Sequence, residues 1–375
     1  MSRLEELIAE LCPAGVEYKT LGELGSFYGG ITGKSKDDFI NGNAKFITYK
    51  NVYSNLALKL DVEDRVKISP NEKQRTLEYG DVIFTGSSET PDECGFSSVL
   101  TKKTDEKLYL NSFCFFFRFH DKELMLPDFS KYLFRSTNVR YQVGKTANGV
   151  TRFNVSKKLM EKVCIPIPPL PVQGEIVRIL DNFTELTAEL TAELTARKKQ
   201  YEYYRDRLLH FTCNTKKYVL GDIATVTKLA GFEFTKYVKY SNEGQIIALR
   251  GLNIKNGKLQ LDDVKYIDHS DLTKLSRSKL HIGDMLFTYV GTIGQVALID
   301  EEDKYYLAPN VALIRCDKKV LLPEYMRYYF QSNLFWDKQI NRLLQSSSMK
   351  NIPMEKIRKF EIVAPSLEVQ KRFVD

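Results

Sequence analysis

Hydrophobic and polar positions along this chain follow two periods. Short runs such as NAKFITYKNV (43–52), DVIFTGS (81–87) and SFCFFFRF (112–119) carry β-branched and aromatic residues in alternation or in brief apolar stretches. QIIALRGLNI (245–254), DMLFTYV (284–290) and NVALIRC (310–316) do the same. This pattern predicts half-buried strands. Leucine and aromatic spacing in LPDFSKYLFRS (126–136) and LPEYMRYYFQS (322–332) instead predicts short helices with one buried face. Two proline-bearing runs, VCIPIPPLP (163–171) and FEIVAP (360–365), read as strands that stop at proline and lead into a helix.

The order of these signals repeats. YKTLGELGSF (18–27) is answered by KYVLGDIATV (217–226), YGDVIFTGS (79–87) by IGDMLFTYV (282–290), and LMLPDFSKYLFRS (124–136) by VLLPEYMRYYFQS (320–332). FNVSKKLMEKVCIPIPPLPVQ (153–173) corresponds to KNIPMEKIRKFEIVAPSLEVQ (350–370). All four matches lie about 200 residues apart in the same order. The chain therefore holds two copies of one β-rich mixed α/β domain, 18–168 and 213–365, an α+β fold class. A short helical segment (1–17) precedes them, a spacer (169–212) joins them, and 366–375 begins another helix.

The spacer changes the period. From Val172 to His210 it lacks proline, has no glycine after Gly174, and is rich in helix formers, which predicts one long helix. Ile176, Leu180, Phe183, Thr187, Leu190, Leu194, Arg197, Tyr201, Tyr204 and Leu208 step by fours and threes, a coiled-coil seam flawed at Thr187 and Arg197. Leu186 adds to the same apolar strip. Such a seam reports only that some helix lies opposite. The four-residue TAEL repeat within it is unusual for a coiled coil, because each unit adds about 6 Å and turns the helix by about 40°. It has the properties of a notch on a ruler, suited to two reading heads held over points of a duplex about one turn (~34 Å) apart.

Composition narrows the class. With 375 residues, 43% hydrophobic and 27% charged, the chain is globular and long enough for more than one core. Its 55 basic and 48 acidic residues leave a net charge of +7, which permits a polyanion partner without requiring one. The acidic start MSRLEELIAELCPAG is no signal peptide, and no apolar run approaches a membrane span, so a cytoplasmic protein is expected. Six scattered cysteines without C-x-x-C pairs and four isolated histidines predict reduced thiols and no metal site.

The stretch PLPVQGEIVRILDNFTELTAELTAELTARKKQYEYYRDRLL (169–209) resembles the central conserved region of the specificity (S) subunits of type I restriction-modification systems. The two copies, with GDVIFTGS and GDMLFTYVGTIGQVAL, look like that family's target-recognition domains. The resemblance implies a non-catalytic DNA-reading subunit that recruits two modification (methyltransferase) subunits and then restriction (endonuclease/translocase) subunits. S-adenosylmethionine, ATP and Mg²⁺ would be used by those partners, with no cofactor in this chain. The family also implies a second long helix packed antiparallel on the first, whereas this chain stops at LEVQKRFVD, where that helix should start. The seam is therefore expected to lack most of its partner, to be covered at one end by SRLEELIAEL, and to favour self-association or capture by another chain.

Two catalytic patterns are weighed against this. Pro91, Asp92, Asp105 and Lys107 follow a loose metal-nuclease order, but the second copy lacks the leading Pro-Asp. GTIGQVALID is not a nucleotide cradle, and NIPM lacks the second proline and the aromatic of an adenine methyltransferase tetrad.

DNA readout calls for polar and basic side chains on loops. In the first copy the candidates are Lys34, Ser35 and Lys36; Tyr49, Lys50 and Asn51; Ser87 and Ser88; and Lys145, Thr146, Asn148, Thr151 and Arg152. In the second they are Lys228 and Lys236; Arg250 and Asn253; Tyr289 and Thr292; and Gln345, Ser346, Ser347, Ser348 and Lys350. GKTANGVTR (144–152) and QSSSMK (345–350) stand out, because the copies diverge there between similar flanks. A scaffold protein with two β-rich binding domains on a coiled coil remains the alternative.

Overall fold

The computed structural model describes residues 2–210, 215–345 and 351–375. The chain forms two compact units that part inside the spacer helix, after Leu190.

In unit 1, four antiparallel strands lie in the order Gly25–Gly29, Cys114–Phe119, Val82–Thr85, Ser97–Val99. Phe84, Phe115 and Phe117 of this sheet pack with Phe134, which caps the helix Pro127–Leu133, and with Val139 of the helix Thr137–Gly144. The first of these helices starts at proline, whose missing N–H costs nothing at that position. A three-stranded sheet, Arg65–Val66, Ala44–Ile47, Leu108–Leu110, includes one parallel pairing. The domain's first and last strands, Glu17–Thr20 and Cys164–Ile167, are zipped antiparallel.

Unit 2 repeats these three sheets strand for strand. Its four-stranded sheet runs Ala224–Lys228, Val311–Cys316, Met285–Thr288, Val296–Leu298. Its three-stranded sheet runs Lys265–Tyr266, Ile247–Leu249, Tyr305–Leu307, and Lys217–Val219 zips to Glu361–Val363. The copies differ after the strands Ala44–Ile47 and Ile247–Leu249. Unit 1 does not continue its strand to Val52 as the alternation predicts; Thr48 caps the helix Tyr49–Ser54, its side chain accepting from Asn51 N. Unit 2 instead makes a hairpin, Ile254–Lys255 with Lys258–Leu259. Asn256 and Gly257 (φ 52° and 80°) supply the positive φ that such a two-residue turn demands.

Two buried polar fixtures recur in both copies. Asp81 pairs with Arg118 in unit 1 at 2.7 Å, and Asp284 with Arg315 in unit 2 at 2.6 Å. Burial pushes the Asp81 carboxyl up against the opposing pull of the Arg118 guanidinium. Gln173, fully buried, accepts from Leu126 N and donates to the carbonyls of Leu124 and Pro168; Gln370 does the same with Leu322, Val320 and Pro365. Each glutamine fastens the start of a helix to the domain before it.

The spacer is a single 39-residue helix, Leu170–Leu208. Its threonines are tolerated because their hydroxyls donate to the carbonyl four residues back, as from Thr184 to Leu180 and Thr195 to Thr191. At its start, Val172 and Ile176 pack on Leu4 and Leu7 of the N-terminal helix Arg3–Leu11 and on Cys12, which caps it, the cover expected for that end of the seam. Unit 1 grips the helix where Asp181 accepts from Lys131 and Tyr132, while in unit 2 Asp206 accepts from Asn333 N. Among the described residues, no helix is long and apolar enough to cross a membrane.

Candidate nucleic-acid interface

In unit 1, three of the four predicted stretches meet. The strand Phe153–Val155 lies between Ala147–Asn148 and Ser87–Ser88, placing Asn154 opposite both Asn148 and Ser87. The Tyr49 hydroxyl donates to the Ser87 carbonyl at 2.7 Å, and Arg152 Nε donates to Ser87 Oγ at 3.2 Å. Lys50, Lys145, Asn148, Thr151 and Arg152 are exposed around this small sheet, whereas Ser87 and Ser88 are buried in it. Burial raises the Tyr49 hydroxyl above the usual phenol range, so it stays a donor.

Unit 2 makes the same junction. Val290 bridges to Asn351, and Ile352 N donates to the Tyr289 carbonyl at 2.9 Å, as Val155 N does to the Gly86 carbonyl in unit 1. Lys228 stands 5.9 Å from the Tyr289 ring. Beside it, Arg250, Val290, Thr292, Phe234, Tyr240 and Asn310 line a cavity of about 450 Å³. Arg250 is oriented by Asp263, at 2.9 Å. Lys236 is exposed on the neighbouring helix Gly231–Tyr237. Gln345 ends the helix Asn341–Gln345; its side chain, Ser346, Ser347, Ser348 and Lys350 lie outside the described residues.

Four predicted contacts are already spent on the fold. Asn51 donates to the Lys59 carbonyl and accepts from Lys59 N. Asn253, fully buried, donates to the carbonyls of Gln260 and Asp263. Thr146 is buried with its hydroxyl on the Val143 carbonyl. The Lys34 ammonium is held between Glu72 and the Lys67 carbonyl, both at 2.6 Å. Lys36 and Ser35 start the short 3₁₀ turn Lys36–Phe39 in that same corner, where Ser35 Oγ donates to Asp38. Sequence reasoning missed Asn154 and Asn351. They hold the same place in the aligned terminal segments, and a polar residue shared just after the divergent stretches was the available signal.

The spacer leaves Phe183, Leu186, Leu190, Leu194, Tyr201, Tyr204 and Leu208 each at least 50% exposed, while Ile176 and Leu180 are partly buried. Asp92 and Lys107 line different cavities, the former with Arg140 and the latter with Lys45 and Glu106, so the loose nuclease pattern is not gathered into one site. Among the described residues, no three His, Cys, Asp or Glu side chains are grouped to hold a metal.

A twice-built domain with one divergent edge per copy, joined by a helix, defines a two-domain repeat protein. The chain belongs to the type I restriction modification DNA specificity domain family, whose model matches it at residues 13–197 and again at 214–375. It is 31% identical over 237 residues to a Haemophilus influenzae protein provisionally named a type I restriction enzyme specificity subunit, covering 60% of this chain and 58% of that one. To the EcoR124I/EcoR124II specificity subunit of Escherichia coli it is 29% identical, over 59% of this chain and 56% of the relative. The EcoKI specificity subunit of Escherichia coli K12 aligns over 84% of this chain and 68% of its own length, at 24% identity. The chain thus spans under two thirds of the first two. In fold it is similar to the S subunit of a type I restriction-modification system from M. genitalium (TM-score 0.52, 12% identity, 96% and 88% of the two chains covered). It is also similar to a chain solved in work on complex assembly and conformational transition of the type I R-M system (TM-score 0.60, 16% identity, 96% and 89% covered).

Proposed function

We propose that this chain is the DNA sequence-specificity subunit of a type I restriction-modification complex, each domain reading one half of a bipartite duplex site. The observation that carries the reading is the repeated junction: Asn154 against Ser87 in one copy and Asn351 against Val290 in the other, framed by side chains that differ between copies. Similar scaffolds with different edges are what two different half-sites require. In unit 1 the candidate contacts are Lys50, Lys145, Asn148, Thr151, Arg152 and Asn154; in unit 2 they are Lys228, Lys236, Arg250, Tyr289, Thr292 and Asn351. The spacer helix sets the distance between half-sites, and its exposed strip is the docking face for modification subunits. Chemistry, with S-adenosylmethionine, ATP and Mg²⁺, belongs to partner subunits.

The test is binding of the chain, with modification subunits, to a library of duplexes with two half-sites. Selection of one bipartite sequence and a steep fall of affinity with salt are expected, because neutralised phosphates release counterions. Sequence-indifferent binding, or binding insensitive to salt, would leave the two-headed scaffold as the better description.

A further inference from the structure

Unit 1 holds a cavity of about 760 Å³ lined by Phe96, Arg135, Thr137, Arg140, Tyr141 and Lys145, with Asp92 also on its wall. The Arg135 and Arg140 guanidiniums lie 4.3 and 4.6 Å from the centroid of the same Phe96 ring. Arg135 donates to the carbonyls of Ser97, Val52 and Tyr53. Arg140 donates to those of Gly95, Asp92 and Cys94. Every one of these acceptors is a neutral backbone oxygen. Carbonyls satisfy donors but do not neutralise two partly buried like charges beside one ring. Burial and the neighbouring Arg140 charge hold Arg135 down at about 10, so it is still a cation at neutral pH. The bonds above use neither Arg135 Nη1 nor Arg140 Nε, which leaves each fork a donor.

The second copy serves as an internal control. Aligning Ser136 with Ser332 puts Gln331 at the position of Arg135 and Trp336 at that of Arg140. Trp336 lies against Gly294 as Arg140 lies against Gly95, and both glycines have positive φ (81° and 67°). The fold therefore closes this corner with a neutral flat side chain in one copy. It does not need a pair of guanidiniums, so their presence in unit 1 asks for another reason.

We propose that this cavity is an oxyanion site that takes a phosphate group between Arg135, Arg140 and Lys145. Resting on the functional reading above, the group is a backbone phosphodiester of the bound duplex beside the unit 1 half-site. Lys145 supports this placement, since it is exposed at the end of the helix Thr137–Gly144, two residues before Ala147–Asn148 of the candidate readout sheet. A free phosphate compound shares the chemistry and is the other source to separate.

The experiment uses the full chain and two variants. Lys145→Gln alters an exposed residue whose ammonium lies 4.2 Å from the Tyr141 ring, and so tests the site without touching the loop staples. Arg140→Gln with Lys145→Gln removes two of the three cations. Inorganic phosphate, titrated against chloride at constant ionic strength, should raise the thermal midpoint of the unmodified chain. It should raise that of Lys145→Gln less, and that of the double variant not at all. With duplex DNA, the slope of log affinity against log salt should fall by about 0.9 for Lys145→Gln, equally on specific and random sequences. A phosphate shift with an unchanged slope would assign the site to free phosphate compounds and overturn its place on DNA. No phosphate shift in the unmodified chain would overturn the site altogether. If that chain shows no salt-dependent binding to any duplex, the functional reading fails, and the phosphate titration still decides the cavity.

Discussion

At the scale of single residues, the side chains that look most like DNA readers divide into those that face outward and those that hold the fold. Asn51 and Asn253 match a base-reading amide in type and in repeat position, yet each ties down its own loop. A lone sequence shows that an amide is present but not which way it faces, and that is why both were misread. Lys34 carries a testable signature of the same inward role. Its ammonium, with Gln74 and Ser69 N, holds the Glu72 carboxyl down at about 2. A depressed carboxylate contributes stability above its ordinary pKa and loses it as pH falls through the folded value. Carbon-detected titration of Glu72 should therefore show a midpoint near 2; a midpoint at the ordinary value would mean that Lys34 is free for DNA after all. The paired glutamines have a larger effect. Gln173→Leu strands Leu126 N and the carbonyls of Leu124 and Pro168, and should destabilise unit 1 by about 3 kcal/mol in denaturant melts.

Among the elements, the spacer helix was the most legible part, because periodicity and the absence of breakers act locally and nothing tertiary overrides them. The strand read through Tyr49–Val52 was less so, since the helical turn there depends on a Thr48 cap whose strength the alternation does not reveal. The helix also invites the sharpest prediction. Deleting Ala188–Thr191 removes one TAEL unit in a stretch where every residue is exposed, so both cores should fold unchanged. The loss is about 6 Å of rise and about 40° of rotation. One base pair contributes ~3.4 Å and about 34°, so the turn is nearly matched by removing one pair, with the excess translation absorbed by bending at a cost of a few kcal/mol. The deletion should keep both half-sites and prefer a spacer one base pair shorter, measured by methylation or binding in complex with modification subunits. A changed half-site with an unchanged spacer would remove the ruler from the account. The exposed leucines on the same helix lead to a second expectation: Leu190→Glu with Leu194→Glu should weaken capture of the modification subunit, or self-association in its absence, in sedimentation experiments.

For the whole molecule, the repeat was readable because both copies keep their order and spacing, whereas the junctions of Ser87 with Asn154 and Val290 with Asn351 join residues more than 60 apart and surface only when the sheets are built. The loose nuclease pattern shows the converse, residues close in sequence that the fold sends to separate cavities. Incubating the purified chain with DNA, Mg²⁺ and S-adenosylmethionine should leave the DNA uncut and unmethylated. Cleavage that disappears with Asp92→Ala or Asp105→Ala would assign it an activity of its own.

The zipped first and last strands of each domain, Glu17–Thr20 with Cys164–Ile167 and Lys217–Val219 with Glu361–Val363, bring the entry and exit of the chain side by side. A segment whose ends adjoin can be lifted out and another put in its place without moving what it is plugged into. Each head is thus built as an exchangeable cartridge, the glutamine at the following helix acting as its catch. Exchange at these two seams would replace one domain in a single step, with the spacer helix left as it was.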